Sequence, residues 1–209
     1  MIFRQLSLGP MQNFSYIIGD EKTKEAAVVD CGWEAEKIIK EAEKEKVTIS
    51  KIILTHCHFD HVQKASELIE KTNATVYFHE LENDEIKKFG IKNAKFFSES
   101  NDEVFVGNIK IKIMHTPGHT HGSICLLFED KLLTGDTLFI GAIGRTDLNG
   151  GNPLKLFDSL QKIKKLNEDL LVYPGHDYGD YPFDLIKNQK KNNPYLLCNK
   201  KEEFLRMVG

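Results

Sequence analysis

No long apolar run occurs in this chain. Nowhere do about eighteen apolar residues follow one another, the length that a membrane-spanning helix needs, and the opening MIFRQLSLGP lacks the hydrophobic segment of a secretory signal. A cytoplasmic protein without a membrane partner is therefore expected. Cysteine is scarce as well: Cys31, Cys57, Cys125 and Cys198 form no Cys-x-x-Cys pair and are too few for a disulfide framework in 209 residues. Reduced, space-filling thiols follow. An excess of positive charge is also missing, because the formal net charge is −3, and this argues against nucleic acid as a partner. With no repeat of fixed period and no stretch rich in Pro, Gly or Ser to act as a linker, the expectation is one domain over residues 1–209. Trp33 is the lone tryptophan, and its neighbours leave it open between a gate and a core filler.

What the chain does have is 41% hydrophobic residues, enough for a sizeable core, and 28% charged residues of interspersed sign, which suits a solvated surface. Short strands come first and strands alternating with helices come later, so the fold class is α/β. Residues 2–6, 14–18 and 26–29 read as an opening strand meander, with the turn-like Gly19-Asp20-Glu21-Lys22 before its third member. Ala35, Ile38, Ile39 and Ala42 recur at helical spacing and predict an amphipathic helix over 34–46. Val62, Ala65, Leu68 and Ile69 predict a second helix, and Asn152 with Pro153 caps a third that runs to Leu166. Residues 110–114, 123–128 and 131–134 read as strands, the last two joined by a hairpin at Glu129-Asp130. His79 should close a strand and begin a helix.

Histidine and aspartate fall in a telling place: each candidate ligand follows a short apolar run. Ile52-Ile53-Leu54 leads to His56, Ile111 to Met114 leads to His119, Leu132-Leu133 leads to Asp136, and Leu171-Val172-Tyr173 leads to His176. Open α/β sheets bind ligands just beyond the carboxyl ends of their strands, so these segments are expected to meet at one edge. Within His56-Cys57-His58-Phe59-Asp60-His61, an extended start points His56 and His58 the same way and Cys57 oppositely, while a tightening turn swings Asp60 and His61 toward a neighbouring point. One such histidine is ordinarily a satisfied polar residue. Five of the eight histidines and two aspartates in this pattern point instead to two metal ions ~3.5–4 Å apart, with Asp136 the candidate bridge. Imidazole and carboxylate without thiolate suit zinc, and also iron or manganese.

Thr55-His56-Cys57-His58-Phe59-Asp60-His61, His115-Thr116-Pro117-Gly118-His119-Thr120, Gly135-Asp136-Thr137-Leu138-Phe139 and Tyr173-Pro174-Gly175-His176-Asp177-Tyr178 resemble, in order, the motifs of the metallo-β-lactamase superfamily. Within it they look most like the glyoxalase II (hydroxyacylglutathione hydrolase) branch in a short form. The resemblance implies a metallo-β-lactamase αβ/βα four-layer sandwich. It also implies two divalent metal ions, zinc foremost: His56, His58 and His119 on the first, Asp60, His61 and His176 on the second, and Asp136 between them. The implied activity is hydrolysis of a small-molecule thioester, such as a glutathione-linked hydroxyacyl group, by a metal-bound hydroxide that Asp60 helps to orient. Asp60 and Asp136 are then the catalytic carboxylates. A thiol has a pKa near 8.5, so thiolate leaves without an obvious general acid.

Two further residues are candidates for substrate binding. Tyr178 matches a family tyrosine near the thiol carrier, and Arg145 lies in Gly144-Arg145-Thr146-Asp147, where glyoxalase II has a Gly-Lys-Phe-Tyr stretch. Arg145 either grips a substrate carboxylate or ties down its loop by pairing with Asp147. Asp147 is expected to accept an N–H from some metal-bound imidazole, and His115 and His121 to be polar loop residues. Three other readings compete. A mononuclear iron persulfide dioxygenase shares the Thr-His-Cys-His and Arg-Thr-Asp features, and a lactonase or other ester hydrolase would use the same chemistry. A non-enzymatic metal-binding module is disfavoured, because structural zinc sites close with four tight ligands.

Overall fold

Apolar residues at alternate positions build the first strands, and the two faces of each strand serve different layers. In a computed structural model, which describes residues 1–91, 94–98 and 102–209, β1 (Ile2–Leu8), β2 (Asn13–Gly19) and β3 (Glu25–Val29) form the expected antiparallel meander. Parallel strands β4 (Thr48–Ile53), β5 (Thr75–His79) and β6 (Ala94–Phe97) extend it to a six-stranded mixed sheet. A second six-stranded sheet has the order β12 (Asp184–Leu185), β11 (Leu171–Pro174), β10 (Lys131–Gly135), β9 (Ile124–Phe128), β8 (Ile109–His115) and β7 (Glu103–Val106). Its strands are antiparallel except for the parallel pair β10 and β11.

The sheets face each other through Tyr16, Ile18, Val29 and Ile53 on one side and Ile111, Ile113, Leu126 and Leu133 on the other. Each such buried aliphatic side chain contributes roughly 1.5–3 kcal/mol relative to exposure. The opposite faces carry helices. Ile17, Val28 and Ile52 pack under α1 (Ala35–Lys44) and α3 (Ala65–Thr72), whose Ile38, Ala42, Ala65 and Leu68 are buried. Cys125, Leu132 and Val172 pack under α5 (Pro153–Lys164), α6 (Ile186–Asn192), α7 (Pro194–Leu197) and α8 (Lys201–Val208). The result is an αβ/βα sandwich of four layers. No helix among the described residues is long and apolar enough to cross a membrane. All four cysteines are free and buried.

Local expectations hold with one instructive exception. The Asn152 side chain accepts the Lys155 N–H at 3.0 Å and Pro153 occupies the first turn of α5, as the cap predicted. The second helix, however, is broken into α2 (Phe59–Val62) and α3. A continuous helix would need the Asp60 and His61 carbonyls to accept from Lys64 and Ala65. Instead Asp60 O takes the Asn13 amide at 3.1 Å, His61 O takes the Cys31 N–H at 2.8 Å, and the Lys64 N–H goes to Cys31 O at 3.0 Å. Tertiary partners compete for the backbone and win.

One carboxylate ties the sheets together. Asp20, in the turn between β2 and β3, accepts the Asn108 N–H at 2.7 Å and the Lys22 N–H at 2.9 Å, and Asn108 lies in the turn between β7 and β8. The Asn108 N–H first, then that of Lys22, holds its pKa down at about 2. A depressed carboxylate contributes stability above its unfolded pKa of about 3.9, and the contribution is lost as pH falls toward the folded value. Asp20→Asn should therefore flatten the pH dependence of stability between about pH 4 and 2, which urea midpoints across that window would record.

Candidate metal centre

All four ligand-bearing strand ends lie at one edge of the sandwich. The loop after β4 carries His56 and His58, the first turn of α2 carries Asp60 and His61, and the loops after β8, β10 and β11 carry His119, Asp136 and His176. Three sets converge there, with ligand atoms mutually within 4.8 Å: His56, His58 and His119; Asp60, His61 and His176; and His56, His61 and Asp136. The Asp136 carboxylate faces both outer sets, with Oδ1 3.4 Å from His61 Nε2, and Oδ2 3.5 Å from His119 Nε2 and 3.4 Å from His176 Nε2. The seven residues singled out in the sequence are thus neighbours in space. As the alternation required, Cys57 turns away into the core with Val62 and Leu54.

Hydrogen bonds around the rim decide which nitrogen each ring turns inward. His119 Nδ1–H donates to the Arg145 carbonyl at 2.7 Å, His176 Nδ1–H to the Met11 carbonyl at 2.9 Å, and His61 Nδ1–H to Asp30 Oδ2 at 2.9 Å. Their Nε2 lone pairs therefore face the centre. Ring nitrogens then crowd together, at spacings that only a shared proton or a cation relieves: His58 Nδ1 lies 2.9 Å from His119 Nε2, and His61 Nε2 lies 3.2 Å from His176 Nε2. Buried His56 Nε2 and Asp136 Oδ1 have no hydrogen-bond partner at all. Gly175 lies against Asp136 Oδ1 so closely that a Cβ would collide with it. Unsatisfied buried acceptors turned on one point are what divalent cations require, so the donor set fits metal.

Electrostatics agree. Burial opposes a charge on His176, yet Asp136 and Asp60 outweigh it and lift the ring to about 10. Burial also opposes ionisation of Asp136, but the His61 ring holds its pKa below the ordinary range. His56, buried and facing four other imidazoles, is pushed well down. Net positive charge is in demand at the carboxylates.

Three supporting residues were not singled out by sequence. Asp30, at the end of β3, accepts from Thr55 N at 2.8 Å, Thr55 Oγ1 at 2.7 Å and His61 Nδ1, fixing the start of the dense motif and one ring of it. Asn13 donates to Asp60 Oδ2 at 2.9 Å, and its Oδ1 accepts the Trp33 indole N–H at 2.7 Å. An indole N–H only donates, so Trp33 dictates which end of the amide faces Asp60. Trp33 is neither simple gate nor simple filler. Finally, buried Glu82 spans two ligand loops, accepting Cys57 N at 3.2 Å and Gly122 N at 2.7 Å. Glu82→Ala leaves two buried N–H groups unpaired at about 1–3 kcal/mol each. A clear fall in the urea midpoint is expected, about half as large for Glu82→Gln, which keeps one acceptor.

Arg145 and Tyr178 both line a cleft of about 710 Å³ beside the cluster. Tyr178 stacks on His176 at a centroid distance of 4.5 Å. Of the two readings of Arg145, the structure has the pair that ties down the loop: Asp147 takes both Arg145 Nε and Nη2 at 2.6 Å, and the His119 Nδ1–H goes to the Arg145 carbonyl rather than to Asp147. His115 donates to the His121 carbonyl at 2.9 Å and stacks on His79, and His79 ends β5 and caps a 3₁₀ turn by accepting the Leu81 N–H. All three stay out of the cluster.

Known proteins are similar to this chain in sequence and in fold. The chain is 35% identical over 195 residues to the probable polyketide biosynthesis zinc-dependent hydrolase PksB of Bacillus subtilis (strain 168), covering 93% of this chain and 86% of that protein. It is 33% identical to the hydroxyacylglutathione hydrolase GloC of Haemophilus influenzae, covering 88% of this chain and 92% of that one. The crystal structure of ETHE1 from Myxococcus xanthus superposes with a TM-score of 0.89 at 34% identity, over 100% of this chain and 90% of that chain. The family model described as "Metallo-beta-lactamase superfamily" matches residues 8–176, from the last residue of β1 to the last histidine of the cluster, and the chain belongs to that superfamily.

Proposed function

We propose that this protein is a dinuclear metallohydrolase of thioesters, related in activity to the hydroxyacylglutathione hydrolases. The observation that carries this reading is the second ligand set: Asp60, His61 and His176 close on one another and on Asp136 beside a separate trio of histidines. A mononuclear iron dioxygenase would employ the trio with Asp136 and leave the second set idle. When bound, divalent ions, zinc foremost, supply Lewis acidity, polarising a carbonyl and lowering the pKa of water from about 15.7 to roughly 7.

The chain's own groups do the rest. Asp60, held by Asn13, presents its carboxylate to the cleft and orients the attacking oxygen, and Asp136 keeps the two ligand sets at a fixed separation. Tyr178 offers a ring face and a hydroxyl beside His176, where a thiol carrier would lie. Among the described residues lining the cleft, every carboxylate belongs to the seven-residue cluster, so no separate acid stands ready to protonate a leaving group. Thiolate needs none, since its conjugate acid has a pKa of about 8.5.

The test is a side-by-side assay of the protein with its native metal, following S-lactoylglutathione by loss of thioester absorbance and glutathione persulfide by oxygen uptake. Thioester loss without oxygen uptake is expected. Oxygen uptake with an intact thioester would replace this reading by the dioxygenase.

A further inference from the structure

The thioesterase reading leaves open which acyl group and which carrier the cleft accepts, and its walls bear on both. Met11, Phe59, Phe139, Ile143, Leu148 and Tyr178 surround the approach to the cluster. Phe59 is 51% exposed, Tyr178 52% and Leu148 41%. Single exposed apolar residues are ordinary, but several gathered round one cleft mark a surface that a ligand covers. Arg145 is the one cationic side chain lining this cleft among the described residues, setting the cluster's own histidines aside. Its Nε and Nη2 edge, the one suited to a carboxylate, is already filled by both oxygens of Asp147. Such a site has apolar surface to offer and little unspent positive charge for a carrier with two carboxylates.

From this we infer that the preferred substrate is a thioester with an extended, uncharged apolar acyl chain on a neutral carrier arm, and that Asp147 is a specificity-determining residue that keeps Arg145 from anionic carriers. The inference rests on the thioesterase reading for the reaction, but not for the binding preference. Apolar walls should reward each methylene that leaves water, up to the length of the cleft.

The experiment uses N-acetylcysteamine thioesters from acetyl to hexanoyl, the hexanoyl thioester of glutathione, and the matching non-hydrolysable alkyl thioethers of N-acetylcysteamine for calorimetry. kcat/KM should rise about threefold per added methylene, and thioether Kd should fall in step with a negative heat-capacity change. Hexanoyl-N-acetylcysteamine should be preferred to hexanoylglutathione, and Asp147→Asn should raise kcat/KM for the glutathione ester by roughly tenfold through the released guanidinium. A flat chain-length series in both assays overturns the apolar acyl assignment, and an unchanged glutathione rate in Asp147→Asn overturns the role of Asp147. Thioethers that bind more tightly with length, with no thioester cleaved, would sink the hydrolase and leave the apolar cleft standing.

Discussion

Asp136→Ala is expected to abolish thioester hydrolysis, with a fall in kcat of at least about 10³-fold, beyond the roughly 10–100-fold typical of losing an outer partner of a metal ligand. The reason is positional. Asp136 is the residue whose two oxygens face His61, His119 and His176 together, so its removal weakens both ligand sets at once. Loss of one histidine from a single set should cost less. The carboxylate follows β10 at the sheet edge and packs no apolar core, so the variant should fold, and far-ultraviolet circular dichroism would check that. Retention of more than a tenth of wild-type kcat in a folded Asp136→Ala protein would deny the residue its bridging place.

Asp30→Asn should cause a large loss of stability. The change is almost isosteric, and asparagine tolerates the left-handed backbone that Asp30 adopts at φ 55°, so backbone strain does not confound it. Hydrogen bonding does the damage. Every partner of the buried carboxylate is a donor: Thr55 N, Thr55 Oγ1 and His61 Nδ1. An amide offers one oxygen and turns two N–H bonds on the rest. Breaking a buried charged network of this kind costs about 3–5 kcal/mol, and in a domain of this size that lowers Tm by roughly 10 °C. Metal affinity should fall about 10–100-fold besides, because His61 loses the partner that fixes its tautomer. Thermal melts with and without chelator would separate the two effects. A Tm within about 2 °C of wild type, several times less than that loss of stability implies, would show that Asp30 supports nothing.

Sequence pattern revealed this site because its ligands obey a rule that pattern can express. A short apolar run ends, a strand therefore ends, and a histidine or aspartate follows; His56, His119, Asp136 and His176 all fit. Asp30 fits the same rule after Ala26 to Val29, yet without a second ligand type beside it the residue reads as an ordinary turn aspartate. Asn13, Trp33 and Glu82 leave no periodic mark at all. Their roles depend on partners 20 to 47 positions away, such as Asn13 for Trp33, Asp60 for Asn13 and Cys57 for Glu82. The break between α2 and α3 was hidden for the same reason, since only the folded chain brings Cys31 and Asn13 to the carbonyls that a longer helix would use. Spacing left Asp147 open between an imidazole and the guanidinium two residues away, and the folded chain gives it to Arg145. Local code wrote the strands and the α5 cap; tertiary hydrogen bonds wrote the surroundings of the His and Asp cluster.

Metal content of the purified protein, compared with that of His176→Ala, asks most directly whether seven side chains share a pair of ions. Elemental analysis should find about two equivalents of divalent metal per chain in the wild type and about one in the variant, which keeps the His56, His58 and His119 trio intact. A single equivalent in both proteins would contradict the dinuclear centre and with it the proposed chemistry.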